Sequence, residues 1–399
     1  MDQPSHFTLS TKQQHFLSAV KNGKNIFLTG KAGTGKSHVV QSAIQMLKNE
    51  GKNIIALAPT GVAANNIGGQ TIHSFFSIPP HGVINYEDCN FIKAEKRSLL
   101  NKVDVIFIDE VSMLRPDTLD AINWTLLKNK CKSLTQYQVV FIGDMKQLKP
   151  PVDDNTLNIL HKAYKGKQYL HAKVYKELNI ETIELDEVLR QSDTDFIEAL
   201  NHIREGKKHQ YFKQFAHPER PQNGIILAPH NSTVAHYNQT GLNLIDQPVI
   251  RMIAETDGNV KPNDFNMETE IDVKHGAKIM YLANSRSNPL INGTLGTFKV
   301  YHGEYFIRVG NIDYALEKVK FTRKEYQLSK DGKKLELVET GSITQYPIKL
   351  AYALSIHKSQ GLTFDALTLD LRLPCFDEGM LYVALSRVRT PDGLTIITN

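Results

Sequence analysis

The residues best spaced for chemistry lie in FLTGKAGTGKS, Phe27 to Ser37. Gly30, Gly35, Lys36 and Ser37 satisfy G-x-x-x-x-G-K-[ST], and the stretch sits between an apolar run and a helical pattern. Gly30, Gly33 and Gly35 let the backbone curl so that its N–H groups face an anion. A helix opening at Ser37 turns its positive end toward the same point. The loop, Ala32 and Thr34 included, is expected to cradle the phosphates of a nucleoside triphosphate, with Lys36 on the β/γ-phosphates and the Ser37 hydroxyl on magnesium.

A second group, IFIDEVSML, ends an apolar run on Asp109, where a carboxylate can hold the magnesium shell. Glu110 follows, placed to orient or deprotonate water. Two acids at a solvated strand end would account for the same letters; the phosphate loop is what favours the chemical reading. VVFIGDMKQLKPP puts Asp144 and Gln147 just beyond another buried run, where a glutamine can sense the γ-phosphate. Arg190 in LDEVLRQSD and Arg387 in YVALSRVR, expected on the final helix, can stabilise charge on a transferring phosphoryl group if a second domain delivers them. Either arginine alone reads as an ordinary surface residue. In combination the groups imply hydrolysis of a nucleoside triphosphate.

These residues need a scaffold. KNIFLTG, NIIALAP, VDVIFID and YQVVFIGD read as buried strands. Val39, Val40, Ala43, Ile44 and Leu47 recur at helical spacing before Gly51. Pro116, Leu119, Ile122, Leu126 and Leu127 suggest another helix. Apolar strands alternating with helices imply an α/β domain with a parallel sheet covered on both faces. A second α/β series begins near Thr182 with GIILAP and a helix from Ser232 to Leu244. Between about Arg251 and Gln345 the pattern changes to short strands with turn signals at Asn292, His302, Gly310 and Asp331, as in a small inserted β-barrel. The α/β pattern resumes at PIKLAYALSI. The expected boundaries are 1–179 for the first domain, with a short insertion at about 77–100; 180–250 with 346–399 for the second; and 251–345 for the barrel.

Bulk composition sets the limits. At 399 residues the chain is too long for one ordinary domain, and 41% apolar residues are enough for real cores. A formal net charge of +5 is compatible with a nucleic-acid partner and equally with a mildly basic enzyme. Cys89, Cys131 and Cys375 lie far apart, so neither a zinc site nor a disulfide framework is expected. The scattered cysteines point to a reducing compartment, so a cytoplasmic protein is expected, and from the polar start and the lack of any run near ~18 apolar residues neither a signal peptide nor a membrane span is expected.

GKAGTGKS, APTGVAANNIGGQTIHSFF, FIDEVSML, GDMKQLKPP, EVLRQ, INGTLG, LSIHKSQGLTFD and YVALSRVR, in that order, resemble the motifs of superfamily-one DNA helicases, in the subgroup containing the PIF, Dda and RecD enzymes. The resemblance runs from LSTKQQ to the C-terminus. It implies two RecA-like domains, a wedge in the first and an SH3-like β-barrel in the second, with ATP and Mg2+ driving 5′ to 3′ translocation on single-stranded DNA and duplex unwinding. By resemblance Gln13 reads adenine, Gln147 couples the ATP and DNA sites, Arg190 and Arg387 reach the γ-phosphate, and Gln360 and Gly361 face the ATP cleft. Thr60, His73, Ser355, His357 and Lys358 match positions near the DNA backbone, although a buried, satisfied imidazole remains the competing account of the two histidines. Tyr86 and Phe91 in SIPPHGVINYEDCNFIKAEKRS are the candidate strand-separating aromatics, with Lys93, Lys96 and Arg97 as backbone contacts. The implied partners are single-stranded DNA, single-strand/duplex junctions and a single-strand-binding protein, engaged by a monomer in the cytoplasm of a bacterium or phage host. A protein-displacing translocase that unwinds weakly, or an RNA helicase of the viral superfamily-one type, would share most of these motifs.

Overall fold

The computed structural model describes residues 9–31, 33–79, 82–186, 193–217, 224–258, 267–285, 287–329 and 335–398. They divide into two compact units, one within 1–145, 149–190 and 324–338, the other within 146–148, 191–323 and 339–399.

The first unit holds β1 (Asn25–Gly30), β2 (Ile54–Ala58), β3 (Gln70–Thr71), β4 (Val105–Ile108), β5 (Gln138–Ile142) and β6 (Ile180–Leu185); β1, β2, β4 and β5 come from the apolar runs, whereas β3 is polar and β6 carries Glu181 and Glu184. They make one parallel sheet of order β3-β2-β4-β5-β1-β6. Side chains alternate across it, as the pleat requires. Ile26, Leu28, Ala56 and Phe107 share a core with α1 (Thr11–Lys21) and α2 (Lys36–Asn49). Phe27, Leu57, Ile108 and Phe141 face the opposite core, which α4 (Ile72–Phe76) and α6 (Pro116–Lys128) complete. The helices α3 (Gly61–Ile67), α5 (Ala94–Lys102) and α7 (Asp154–Tyr164) fill the remaining connections. Pro116 opens α6 at a position that needs no N–H donor. Leu119, Ile122 and Leu126 of α6 are fully buried, each worth about 1.5–3 kcal/mol. Leu127, expected inside, is half exposed; its place on the helix faces away from the sheet.

The second unit holds a parallel sheet of order β18-β7-β19-β20, built from β7 (Ile225–Ala228), β18 (Ala353–Ser355), β19 (Leu367–Asp370) and β20 (Leu394–Ile397). Helices α8 (Thr194–Arg204), α9 (Asn231–Asn243) and α10 (Met380–Leu385) accompany it. Between α9 and β18 the chain is antiparallel: β8 (Ile250–Ile253), β9 (Glu255–Gly258), β10 (Glu270–Val273), β11 (Lys278–Tyr281), β12 (Leu295–Tyr301), β13 (Glu304–Val309), β14 (Ile312–Ala315), β15 (Val319–Leu328), β16 (Leu335–Gln345) and β17 (Ile348–Leu350). β12 and β13 meet through His302-Gly303, both at positive φ, which is the tight hairpin turn the sequence signals.

Three boundaries differ from those read in the sequence. The strand at 180–185 pairs with β1 along its whole length and so closes the first sheet rather than opening the second domain. The run PIKLAYALSI serves two sheets: Ile348–Leu350 pairs antiparallel with β11, and Ala353–Ser355 pairs parallel with β7. Nothing in the local pattern of this stretch marks that hand-over. The third difference is the hairpin of β15 and β16, whose distal part, Lys324–Val338, belongs to the first unit. There Tyr326 packs edge-on against Phe75 at 5.8 Å, its hydroxyl accepts from the Ala56 N–H at 2.9 Å, and its own N–H donates to Gln70 Oε1 at 3.1 Å. β3 is two residues long, so the Ala56 N–H on that side of β2 is satisfied by a side chain instead of a strand. The turn signal at Asp331 lies outside the described residues.

Candidate functional site

The phosphate loop follows β1, Asp109 and Glu110 follow β4, and Asp144 follows β5. All sit at the carboxyl ends of adjacent parallel strands, the usual place for a ligand in an open α/β sheet. Gly33 and Gly35 have φ of 82° and 78°, a region that costs a side-chain-bearing residue strain. Lys36 begins α2, and Ser37 is exposed in its first turn. The Lys36 ammonium donates to the carbonyls of Gly30 at 2.7 Å and Lys31 at 2.8 Å, and the buried Thr34 hydroxyl donates to Lys31 O at 3.0 Å. Ala32 lies outside the described residues.

Burial, and then the Glu110 carboxylate beside it, push the Asp109 carboxyl up to about 7; the Glu110 N–H and the Lys36 ammonium pull the other way. A divalent cation would return the charge that burial takes away. A carboxylate, a hydroxyl and phosphate oxygens are the hard donors magnesium accepts, so Asp109 and Ser37 fit it. Glu110 itself sits at φ 51°, left-handed for a residue with a side chain. Such strain is characteristic of functional positions.

Gln13 is buried at the start of α1, where its Oε1 accepts from the Ser10 N–H at 3.0 Å in a capping box. In the second unit Gln147 and Gln360 come together, Gln360 Nε2 donating to Gln147 Oε1 at 3.4 Å. Gly379 lies close against the same backbone: a Cβ there would lie 2.6 Å from the Gln147 carbonyl. Gly361, at φ 81°, follows Gln360 directly. Arg387 is not on the final helix, which ends at Leu385, and it is buried rather than free on the surface. Its guanidinium donates to Val383 O at 2.9 Å, Leu362 O at 3.2 Å and Ser386 Oγ at 2.8 Å. Arg190 lies outside the described residues.

Among the candidate DNA contacts, Thr60 caps α3 with its hydroxyl on the Ala63 N–H at 3.3 Å, and His73 lies half-buried in α4. Ser355 is buried at the end of β18, and Lys358 is exposed. Burial lowers the His357 pKa, against the pull of Asp377, so the ring is biased toward its neutral form. It stacks on Phe376, 61% exposed, at 6.0 Å, while His230 packs on the same ring at 5.2 Å. Phe376 was not singled out in the sequence, where one aromatic without a spacing pattern carries no signal. Tyr86 and Phe91 are exposed at 44% and 77%. The cation they share is Lys128 of α6, at 5.1 and 5.6 Å from the two ring centroids, whereas Lys96 lies over the Phe75 ring at 4.4 Å.

This sheet, loop and acidic strand end define a P-loop nucleoside triphosphatase. A family model described as PIF1-like helicase matches residues 8–214. The ATP-dependent DNA helicase Pif1 of Campylobacter jejuni is 28% identical, over 93% of this chain and 88% of that protein. The crystal structure of Bacteroides sp Pif1 in complex with ADP-AlF4 is 31% identical with a TM-score of 0.86, covering 98% of this chain and 92% of that one. Bacteroides Pif1 bound to single-stranded DNA matches over the same shares at 31% identity and a TM-score of 0.69. The chain belongs to the PIF1-like helicase family and is an ATP-hydrolysing helicase.

Proposed function

We propose that this ATP-dependent DNA helicase moves 5′ to 3′ along single-stranded DNA and opens the duplex ahead of it. The observation carrying the reading is the phosphate loop with Lys36, set at strand ends beside Asp109 and Glu110, in a chain of this family. The relative bound to single-stranded DNA supports the choice of track.

In this scheme Lys36 and the loop from Gly30 to Gly35, Ala32 and Thr34 included, bind the phosphates, and Gln13 reads the base. Ser37 and Asp109 hold Mg2+, which supplies charge neutralisation at the phosphates when bound. Glu110 orients and deprotonates the attacking water. Arg190 and Arg387 neutralise charge on the transferring phosphoryl group. Gln147, Gln360 and Gly361 relay the state of the nucleotide to the DNA contacts Thr60, His73, Ser355, His357 and Lys358. Tyr86 and Phe91 form the wedge, stacking on the last base pair at about 1–3 kcal/mol per base, comparable with the ~1.4 kcal/mol of one opened step. The antiparallel strands from β8 to β17 form the SH3-like insertion. The working unit is a monomer, with a single-strand-binding protein as its partner on DNA.

Steady-state ATP hydrolysis with single-stranded DNA, with RNA and without nucleic acid tests the substrate. A rate unmoved by DNA would sink the motor reading. Duplexes tailed on the 5′ or the 3′ side test direction, and preferential opening of the 3′-tailed one would reverse it.

A further inference from the structure

The segment 82–92, which carries Tyr86 and Phe91, is held chiefly by α6 and its two cap residues, with one further bond from Asn90 Nδ2 to Ser77 O at 3.0 Å. At the helix start the fully buried Asp117 accepts from the Ile84 N–H at 2.8 Å through Oδ2 and from Arg115 Nε at 2.9 Å through Oδ1. Arg115 Nη2 adds a bond to Asp117 Oδ2 and one to Gly82 O. Midway, the buried Cys89 thiol points at Ala121 O, 3.8 Å away. At the helix end Asn129, the C-cap residue, is 3% exposed with both ends of its amide used. Its Oδ1 accepts from the Ile92 N–H at 2.9 Å, and its Nδ2 donates to Asn90 O at 3.1 Å and Thr125 O at 2.8 Å. Ile84, Cys89 and Ile92 share one core with Leu119, Ala121, Ile122 and Leu126. Side chains from both ends of one helix thus fix both ends of one loop. Among the described residues the loop has no strand or helix of its own to do so.

α6 also begins where the nucleotide site ends. Glu110 leads into the short 3-10 turn Val111–Met113, then Leu114, then Arg115. The chain thus joins the strand end at Glu110, through this one short turn, to the residue that grips Gly82 and Asp117.

We propose that Asp117 and Asn129 are positioning residues for strand separation: they dock the loop bearing Tyr86 and Phe91 onto α6, so that the aromatic tip moves with the Asp109–Glu110 strand end and not independently of it. They touch neither nucleotide nor DNA and act through the tip. This rests on the reading of that tip as the wedge.

The test measures base pairs opened per ATP hydrolysed on a tailed duplex. Three proteins are compared with the parent: Asn129→Ala, the tip variant Tyr86→Ala/Phe91→Ala, and the triple combination. Asn129→Ala is expected to lower the ratio at least fivefold while its single-stranded-DNA-stimulated ATPase stays within twofold of the parent. Because it acts through the tip, the triple variant should be no worse than the tip variant. A full ratio in Asn129→Ala beside a lowered one in the tip variant overturns the positioning role and leaves the wedge standing. Independent, multiplying losses overturn it as well. A full ratio in the tip variant overturns the wedge reading itself. Should Asn129→Ala melt below the assay temperature, Asp117→Asn, isosteric and still able to accept one hydrogen bond, is read by the same criteria.

Discussion

The Lys36 ammonium closes back on its own loop, donating to the Gly30 carbonyl at 2.7 Å. Phosphate oxygens must displace that carbonyl, so the lysine exchanges one set of acceptors for a more strongly charged one. Hydrogen bonds to charged groups contribute about 1.5–3 kcal/mol. Lys36→Ala should therefore weaken ATP binding roughly ten- to a hundredfold and abolish turnover. Glu110→Gln should abolish turnover while ATP affinity stays within a few-fold of the parent. Titration with a fluorescent ATP analogue separates them; an equal loss of affinity in both removes Glu110 from its water-activating role.

Arg387 is lodged among carbonyls, so truncating it to alanine would strand acceptors and open a cavity. Arg387→Lys keeps the charge and most of the volume but loses the planar fork. It should lower kcat on the order of tenfold with little change in KM for ATP, since a group acting on the transition state spares ground-state binding. A change confined to KM would exclude the phosphoryl-stabilising role.

Tyr326→Phe keeps the edge-on packing against Phe75 and deletes the acceptor for the Ala56 amide. The cost should be about 1–3 kcal/mol of stability. Hydrogen exchange read amide by amide should show Ala56 losing protection ahead of its strand neighbours. Unchanged protection at Ala56 would mean that water replaces the hydroxyl at no cost.

Burial, reinforced by repulsion from Lys358 and opposed by Glu268, lowers the Lys349 pKa to about 8. A depressed ammonium costs stability wherever the folded form must carry the charge. That cost is complete below pH ~8, shrinks as pH rises, and vanishes above the unfolded value of about 10.4. Lys349→Met should accordingly be more stable than the parent at pH 7, by up to about 3 kcal/mol, with the gap closing toward pH 10.5. Denaturant melts at pH 7 and pH 10 check it, and a gap that widens with pH has the wrong sign.

The parallel sheet, the phosphate loop and the acidic strand end were legible in the sequence because each rests on local grammar: apolar runs, glycines at fixed offsets, acids at a strand end. What escaped depends on partners far apart in the chain. Lys128 reaches Tyr86 and Phe91 from about forty residues away, and Lys96, expected on the DNA backbone, has its ammonium over the Phe75 ring. The strand Ile180–Leu185, in which Glu181 and Glu184 interrupt the apolar residues, carries no local mark of the sheet it joins, and only pairing assigns it. Arg387 fits a helical pattern that stops two residues before it.

A two-residue strand at the margin of a parallel sheet leaves a row of amides able to recruit any extended chain that drifts past. Tyr326 and the backbone beside it occupy that margin, with Asn53 accepting from the Leu335 N–H at 3.3 Å further along. The hairpin therefore covers amides that would otherwise be open to pairing with another chain. A protein deprived of it would retain its sheet and its phosphate loop, yet should accumulate as insoluble strand-paired aggregates at concentrations where the parent stays dispersed.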